Sequence, residues 1–232
     1  MLKSKIKSFL VNLNYYFFNN SNIEDIFSKI YKKKIWGGSN TSFYSGSGSH
    51  DKKLKGRYCK EIAIFCSSFK NKPDVLDLGC GDFSIGKSIR KNFKRYYAFD
   101  VVKNLIEYNK KKFKNLNVIF KNKDATHDNL PKTDIIIIRE VFQHLSNENI
   151  SKILKKVQNK CKYLIITEVV SAKKNYKANL DQKNGPIAKR AYNGSGVEIS
   201  KPPFNFKFKK KIKQFELNRN KIQKMTTVIY QI

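Results

Sequence analysis

The spacing of apolar positions along this 232-residue chain changes period several times, and each change marks a different element. Leu2, Ile6, Phe9, Leu10, Leu13 and Phe17 recur at helical spacing, with Lys3, Lys5 and Lys7 mostly elsewhere on the wheel. This predicts an amphipathic helix over 2–17 that either caps the main body or lies on an anionic membrane surface. A polar break at Asn19-Asn20-Ser21-Asn22 precedes a second short helical pattern through Tyr31. The stretch from Trp36 to Ser49 is then rich in Gly and Ser, the composition of a flexible linker. It also carries Trp36, Phe43 and Tyr44, which suit a loop folded over a ligand equally well.

From Tyr58 onward, strand and helix patterns alternate. Ile62, Phe65, Cys66 and Phe69 share one helical face. Val75–Leu78 is a short apolar strand ending in Gly79-Cys80-Gly81, and Ser84 is placed to cap a helix running to about Phe93. Tyr96–Phe99 is a second strand closing on Asp100, with a lysine-rich helix at 103–113 and a third strand at Asn117–Phe120. Ile135–Ile138 is an unbroken β-branched run, the mark of a strand covered on both faces. Ser146 opens another helix and Tyr163–Thr167 is a fifth strand. Strands alternating with helices of this length mean an α/β fold on a parallel sheet. Residues 206–217 and 225–231 read instead as two consecutive strands, a terminal antiparallel pair. The expected organisation is an N-terminal helical extension at 1–35, a Gly/Ser-rich loop over the site at 36–56, and the main domain at 57–232. Within that domain, Ser171 to Pro203 is long, polar and poorly patterned, which fits a substrate lid or a disordered surface loop.

Composition narrows the function classes. Forty per cent hydrophobic residues supply a real core and exclude a wholly disordered chain. No apolar run approaches the roughly 20 residues of a membrane span. The net charge of +30 invites a nucleic-acid or anionic-membrane partner. Only six of the 48 cations are arginines, however, and Asn and Ile are inflated alongside Lys, a pattern that follows AT-rich codons. The charge is also smeared: residues 1–35 carry +5, 201–224 carry +8, and 73–169 carry +8. Phosphate and base recognition leans more on the arginine fork than on lysine. The alternation Phe204-Asn205-Phe206-Lys207-Phe208-Lys209 suits a core-facing strand edged with lysine better than a base-stacking platform. Cys59, Cys66, Cys80 and Cys161 lack CxxC spacing, so neither zinc nor a disulfide framework is signalled. Free thiols, with no cleavable leader pattern at the start, suggest a cytoplasmic protein.

Ligands of an open parallel sheet bind at the C-terminal strand ends beside the switch point. There the chain reads Asp77-Leu78-Gly79-Cys80-Gly81-Asp82-Phe83-Ser84, with Asp100 at the next strand end. A dinucleotide would lay its pyrophosphate on this loop, where Asp77 and Asp82 would repel it, and the third glycine of GxGxxG is absent. S-adenosylmethionine carries an ammonium and a sulfonium and no phosphate, so acids help it. Asp100 suits ribose hydroxyls with either cofactor.

The run Val75-Leu-Asp-Leu-Gly-Cys-Gly81, the acid Asp100, and Asp124-Ala125 after the third strand resemble the class I S-adenosylmethionine-dependent methyltransferases, over about 57–232. The resemblance implies a Rossmann-like, mostly parallel seven-stranded sheet with an antiparallel last strand and helices on both faces. It also implies Gly79 and Gly81 against the methionine moiety of S-adenosyl-L-methionine, Asp77 near its amine, Asp100 on the ribose, and Asp124 with Ala125 at the adenine. Trp36-Gly37-Gly38 with its Ser-Gly tail, Arg139 to Ser146, and Lys201-Pro202-Pro203-Phe204 resemble a narrower set of small bacterial methyltransferases of surface-glycan or secondary metabolism. Phe83 departs from the family, many members of which have glycine there.

The fourth-strand exit usually faces the methyl acceptor. It reads Arg139-Glu140-Val141-Phe142, without the Asn/Asp-Pro-Pro-aromatic run of adenine and amide methylases, and no Pro-Cys marks a base methylase. A proton-bearing acceptor, most simply a hydroxyl, remains, and a sugar or glycan precursor is what the narrower resemblance implies. His144 is the natural base, and Glu140, four residues before it, would share its face on a helix. Asp128 and Asp134 do not amount to a metal site. The alternatives are an RNA methyltransferase using the basic surface and a non-catalytic domain that binds a partner; the intact Asp77, Gly79, Gly81 and Asp100 speak against the second.

Overall fold

Seven strands form one sheet in the order β3-β2-β1-β4-β5-β7-β6. The computed structural model describes residues 22–39 and 42–232, and the helix expected over 2–17 lies outside them. The apolar runs give β1 (Val75–Leu78), β2 (Tyr96–Asp100), β3 (Ile119–Asn122), β4 (Ile135–Arg139) and β5 (Tyr163–Ser171). All five run parallel; β1, β4 and β5 are buried almost throughout, as strands covered on both faces should be, while β3 is an edge strand with only Phe120 buried. β7 (Gln223–Gln231) lies antiparallel between β5 and β6 (Lys210–Asn220). The helices, in chain order, are α1 (Ile23–Lys32), α2 (Ser47–His50), α3 (Lys52–Ser67), α4 (Ser84–Ile89), α5 (Lys103–Lys112), α6 (Asn147–Val157) and α7 (Lys189–Tyr192).

Period-2 alternation sends the strand side chains to two cores. Leu76, Ile136, Ile138, Leu164 and Ile166 pack with Ile150, Ile153, Leu154 and Val157 of α6. Val75, Ala98, Ile135, Ile137 and Ile165 pack on the other face with Tyr58 and Ile62 of α3 and Ile106 of α5. Each fully buried Ile or Leu stabilises the fold by about 1.5–3 kcal/mol, so both faces anchor the strand ends that carry the site. Strand order reverses between β1 and β4, which opens a crevice there.

Several boundaries differ from the sequence pattern. β3 starts at Ile119 because Asn117 takes a left-handed turn at φ 49°. α4 stops at Ile89 and a 3₁₀ turn, Arg90–Asn92, completes it. Ser84 does not cap α4: Phe83 holds the cap position, and the Ser84 N–H donates to Asp82 Oδ1 at 3.0 Å. β6 begins only at Lys210, since the Phe206 N–H is taken by Ile199 O. β5 outruns its expected end by four residues because β7 pairs with it as far as Ser171.

The polar segment after β5 is ordered against the body. Asn179 donates from Nδ2 to Glu198 O and Pro202 O and accepts the Glu198 N–H. Arg190, 2% exposed, donates to Leu180 O, Phe142 O and Leu145 O, tying the segment to the β4 exit. The disordered-loop reading therefore gives way to a fixed wall.

Candidate active site

The β1 exit turns through Gly79 (φ 73°) and Gly81 (φ 55°), a left-handed path that favours glycine. A Cβ on Gly81 would also stand 2.3 Å from Ser45 Oγ. Asp100 locks the turn from β2, accepting the Gly81 N–H at 3.0 Å on one oxygen and the Val102 N–H on the other. Asn109, wholly buried on α5, donates to Gly81 O at 2.7 Å. Phe83 occupies its left-handed position (φ 60°) because the ring fills a core pocket against Tyr96, Phe113 and Phe120.

Three buried carboxylates line the turn. Asp77 accepts the Tyr96 hydroxyl on Oδ2 at 2.8 Å, and its Oδ1 has no donor among the described residues. Burial pushes the Asp77 carboxyl up to about 7, against the pull of Tyr96 and Arg139. Burial likewise lifts Asp100 to about 6, opposed by its N–H donors. Asp82 accepts the Ser45 N–H on Oδ2 at 2.8 Å, and His50 Nε2 lies 2.7 Å from the same oxygen. The segment before α3 is thereby latched over the turn, with Tyr31 Oη 2.8 Å from Ser45 Oγ.

At the β4 exit, Arg139 is buried and donates to Gly48 O at 2.8 Å and Ser49 Oγ at 3.2 Å. Glu140 takes φ 56° and ion-pairs with Arg139 Nη1 at 2.8 Å and Arg219 Nη1 at 3.3 Å. The chain then makes a 3₁₀ turn, Phe142–His144. Glu140 and His144 thus do not share a helical face, as their spacing suggested; the positive φ at Glu140 ends the strand and precludes a helix through it. His144 lies 3.1 Å from Gly185 O through Nδ1 and 3.2 Å from Gln143 Nε2 through Nε2. Its ring packs beside Trp36 (centroids 5.0 Å) and Phe27 (6.4 Å), and burial lowers its pKa to about 4. Trp36 is itself fixed, its indole N–H donating to Pro186 O at 2.9 Å.

One cavity of about 420 Å³ joins these parts. Asp77, Gly79, Gly81, Asp100, Asp124, Ala125, Glu140 and His144 all line it, as do Ser45–Ser49 and Pro186–Ala188. Asp124 Oδ1 is already committed to Thr126, through N at 2.8 Å and Oγ1 at 2.7 Å. Sequence alone reads His50 as a loop residue without a role and gives no role to Asn109, Arg219 and Glu168. Of these, Glu168 left a signal, a lone acid in the apolar run Leu-Ile-Ile-Thr-Glu-Val-Val.

Residues 75–163 match the profile of a methyltransferase domain family. That profile and the fold are those of class I S-adenosylmethionine-dependent methyltransferases. No curated protein sequence matches this chain. Among solved structures, the N-methyltransferase NodS of Bradyrhizobium japonicum with S-adenosylhomocysteine is 12% identical, at TM-score 0.63 over 91% of this chain and 98% of that one. The magnesium protoporphyrin IX methyltransferase of Synechocystis, with bound S-adenosylmethionine, is 14% identical, at TM-score 0.57 over 91% and 98%. Coclaurine N-methyltransferase, bound to N-methylheliamine and S-adenosylhomocysteine, is 15% identical, at TM-score 0.60 over 91% and 83%. At these identities the likeness is one of fold.

The matched domain family uses S-adenosylmethionine, and the residues present here fit that cofactor. The free Oδ1 of Asp77 suits an ammonium donor, and three buried acids around the turn disfavour a pyrophosphate. Among the described residues no helix is long and apolar enough to cross a membrane.

Proposed function

We propose that this methyltransferase acts on a hydroxyl of a small polar acceptor, a sugar or glycan precursor, held at the His144 end of the cavity. In this reading Asp77 takes the amine of S-adenosylmethionine, Gly79 and Gly81 leave room for its methionine part, Asp100 takes the ribose, and Asp124 and Ala125 flank the adenine. Residues 36–56 act as the cover and 57–232 as the catalytic domain. The bound cofactor supplies a methyl group already activated by a sulfonium. The chain's own task is then alignment and removal of one proton.

The observation that carries this reading is the His144 ring on the wall of the cavity that Asp77 also lines, where burial favours the neutral imidazole. With Nδ1–H given to Gly185 O, the lone pair of His144 sits on Nε2, where the Gln143 amide now lies. An acceptor hydroxyl replacing that amide would pass its proton to Nε2 as the new bond to carbon forms. Glu140 is the nearby charge that favours the imidazolium, and Arg219 and Arg190 oppose it. Trp36 and Phe27 offer flat apolar faces while Gln143, Arg219, Asn220 and Gln223 offer polar contacts, a combination that suits a polyhydroxylated ring. The cavity is also of small-molecule size.

The test is transfer of labelled methyl to a panel of nucleotide sugars and to RNA. Transfer to a sugar, lowered about 10²–10⁴-fold in His144→Gln with unchanged S-adenosylhomocysteine affinity, is the expected result. Transfer to RNA alone, falling steeply with salt, would replace this reading with the nucleic-acid one. Undiminished transfer by His144→Gln would remove the base and point to a neutral amine acceptor.

A further inference from the structure

Glu168 lies on β5, is 1% exposed, and forms no part of any motif named above. Its two oxygens are divided between two consecutive backbone donors of the β4 exit turn: Oε1 accepts the Phe142 N–H at 2.9 Å and Oε2 the Gln143 N–H at 2.8 Å. A carboxylate here does from a neighbouring strand what a capping residue does at a helix start. The turn needs such a hold, because it begins at Glu140 in a left-handed conformation that a non-glycine residue enters at a cost. The residues around it extend the same clamp. The Glu140 N–H donates to Thr167 O at 2.7 Å, and Gln143 Oε1 accepts the Val169 N–H at 3.0 Å. Arg190 donates to the turn's carbonyls, Phe142 O and Leu145 O.

We propose that Glu168 is the positioning residue of the acceptor site, fixing through the Phe142 and Gln143 amides where Glu140 and His144 stand on the cavity wall. It touches neither cofactor nor acceptor. The inference rests on the proposed roles of His144 and Glu140, and it names the group that sets their geometry. Burial raises the carboxyl of Glu168 and Glu140 adds to the rise, while the two amide donors, one on each oxygen, favour the ionised form. Glu168→Gln preserves size but turns an amide N–H toward a backbone N–H, so one of the two donors loses its acceptor. Glu168→Asp keeps both acceptors and shortens their reach.

Two native probes read the result without an acceptor. Trp36 is the only tryptophan and packs on His144, and the chain has only three histidines, so the imidazole nitrogen signals of His144 are assignable by NMR. In wild type the Phe142 and Gln143 amide protons are expected downfield and protected from exchange. In Glu168→Gln, one of them should lose protection more than tenfold, while the His144 signals and Trp36 emission shift and Glu168→Asp restores part of both. Fast exchange of both amides in wild type would overturn the proposal even if neither variant folds. A folded Glu168→Gln that melts lower yet keeps wild-type His144 signals and Trp36 emission would also overturn it, leaving only a structural role. S-adenosylhomocysteine affinity, expected within threefold of wild type in Glu168→Gln, separates this failure from failure of the cofactor site; a loss beyond tenfold would place Glu168 in that site instead and overturn the proposal.

Discussion

Asp77 makes the cofactor site a proton-linked one. Its carboxyl is raised to about 7 by burial, so the free protein near pH 6 holds it mostly protonated. An ammonium at the unpartnered Oδ1 favours the ionised form. The sign follows: binding expels a proton below pH 7, and affinity rises with pH until the carboxyl is ionised in the free protein. One unit below its pKa the linkage weakens affinity about tenfold, or 1.4 kcal/mol, and releases about one proton per ligand bound. Asp100, raised to about 6, adds a second dependence of about twofold at pH 6 that grows at lower pH. Calorimetric titration with S-adenosylhomocysteine at pH 6 and 8, in buffers of different ionisation enthalpy, reads both quantities. Asp77→Asn should lose the charged contact, roughly 1.5–3 kcal/mol at pH 8, and with it most of the pH dependence between 6 and 8, leaving about the twofold part owed to Asp100. Equal wild-type affinity at both pH values, with no proton release, would refute the assignment of the amine to Asp77.

Gly48→Ala would place a Cβ 2.1 Å from Glu140 Oε2, so the covering segment seats only if the Glu140 carboxylate leaves its ion pairs with Arg139 and Arg219, and Trp36 emission should shift red while S-adenosylhomocysteine affinity falls. Phe83→Ala removes a ring with no exposed surface and should cost about 3–5 kcal/mol in denaturant unfolding, despite a smaller side chain at positive φ. Because His144 is held neutral down to about 4, kcat at saturating cofactor should show no histidine break between pH 5 and 8; a break near 6.5 would mean the ring is solvated. If small acceptors are the substrates, raising salt from 50 to 200 mM should change the rate little, against the orders of magnitude expected for multiple phosphate contacts.

The strands and the cofactor turn were legible because local signals and global fold agree there: β-branched runs, paired glycines, and an acid at each of two strand ends. The β4 exit was not, since Glu140 and His144 have helical spacing while the conformation is set by Glu168, Thr167 and Arg190, residues distant in sequence. No local pattern records a carboxylate that caps a turn from the next strand. Ser84 failed as a cap for a local reason, since Asp82 two residues earlier accepts its N–H and Phe83 holds the cap position. Phe83 misleads in the opposite direction: read locally it breaks the glycine loop, and only the pocket formed by Tyr96, Phe113 and Phe120 explains why the loop survives. The +30 charge remains without a site, since the cavity itself is lined by acids as well as arginines.

The most direct test of the account is calorimetry at pH 8 of wild type and Asp100→Asn with S-adenosylhomocysteine and with NAD. The account predicts micromolar binding of the first ligand, at least tenfold weaker in the variant, and none of NAD. Binding of NAD, or no binding of S-adenosylhomocysteine by folded wild type, would contradict the site built on Asp77, Gly79, Gly81 and Asp100.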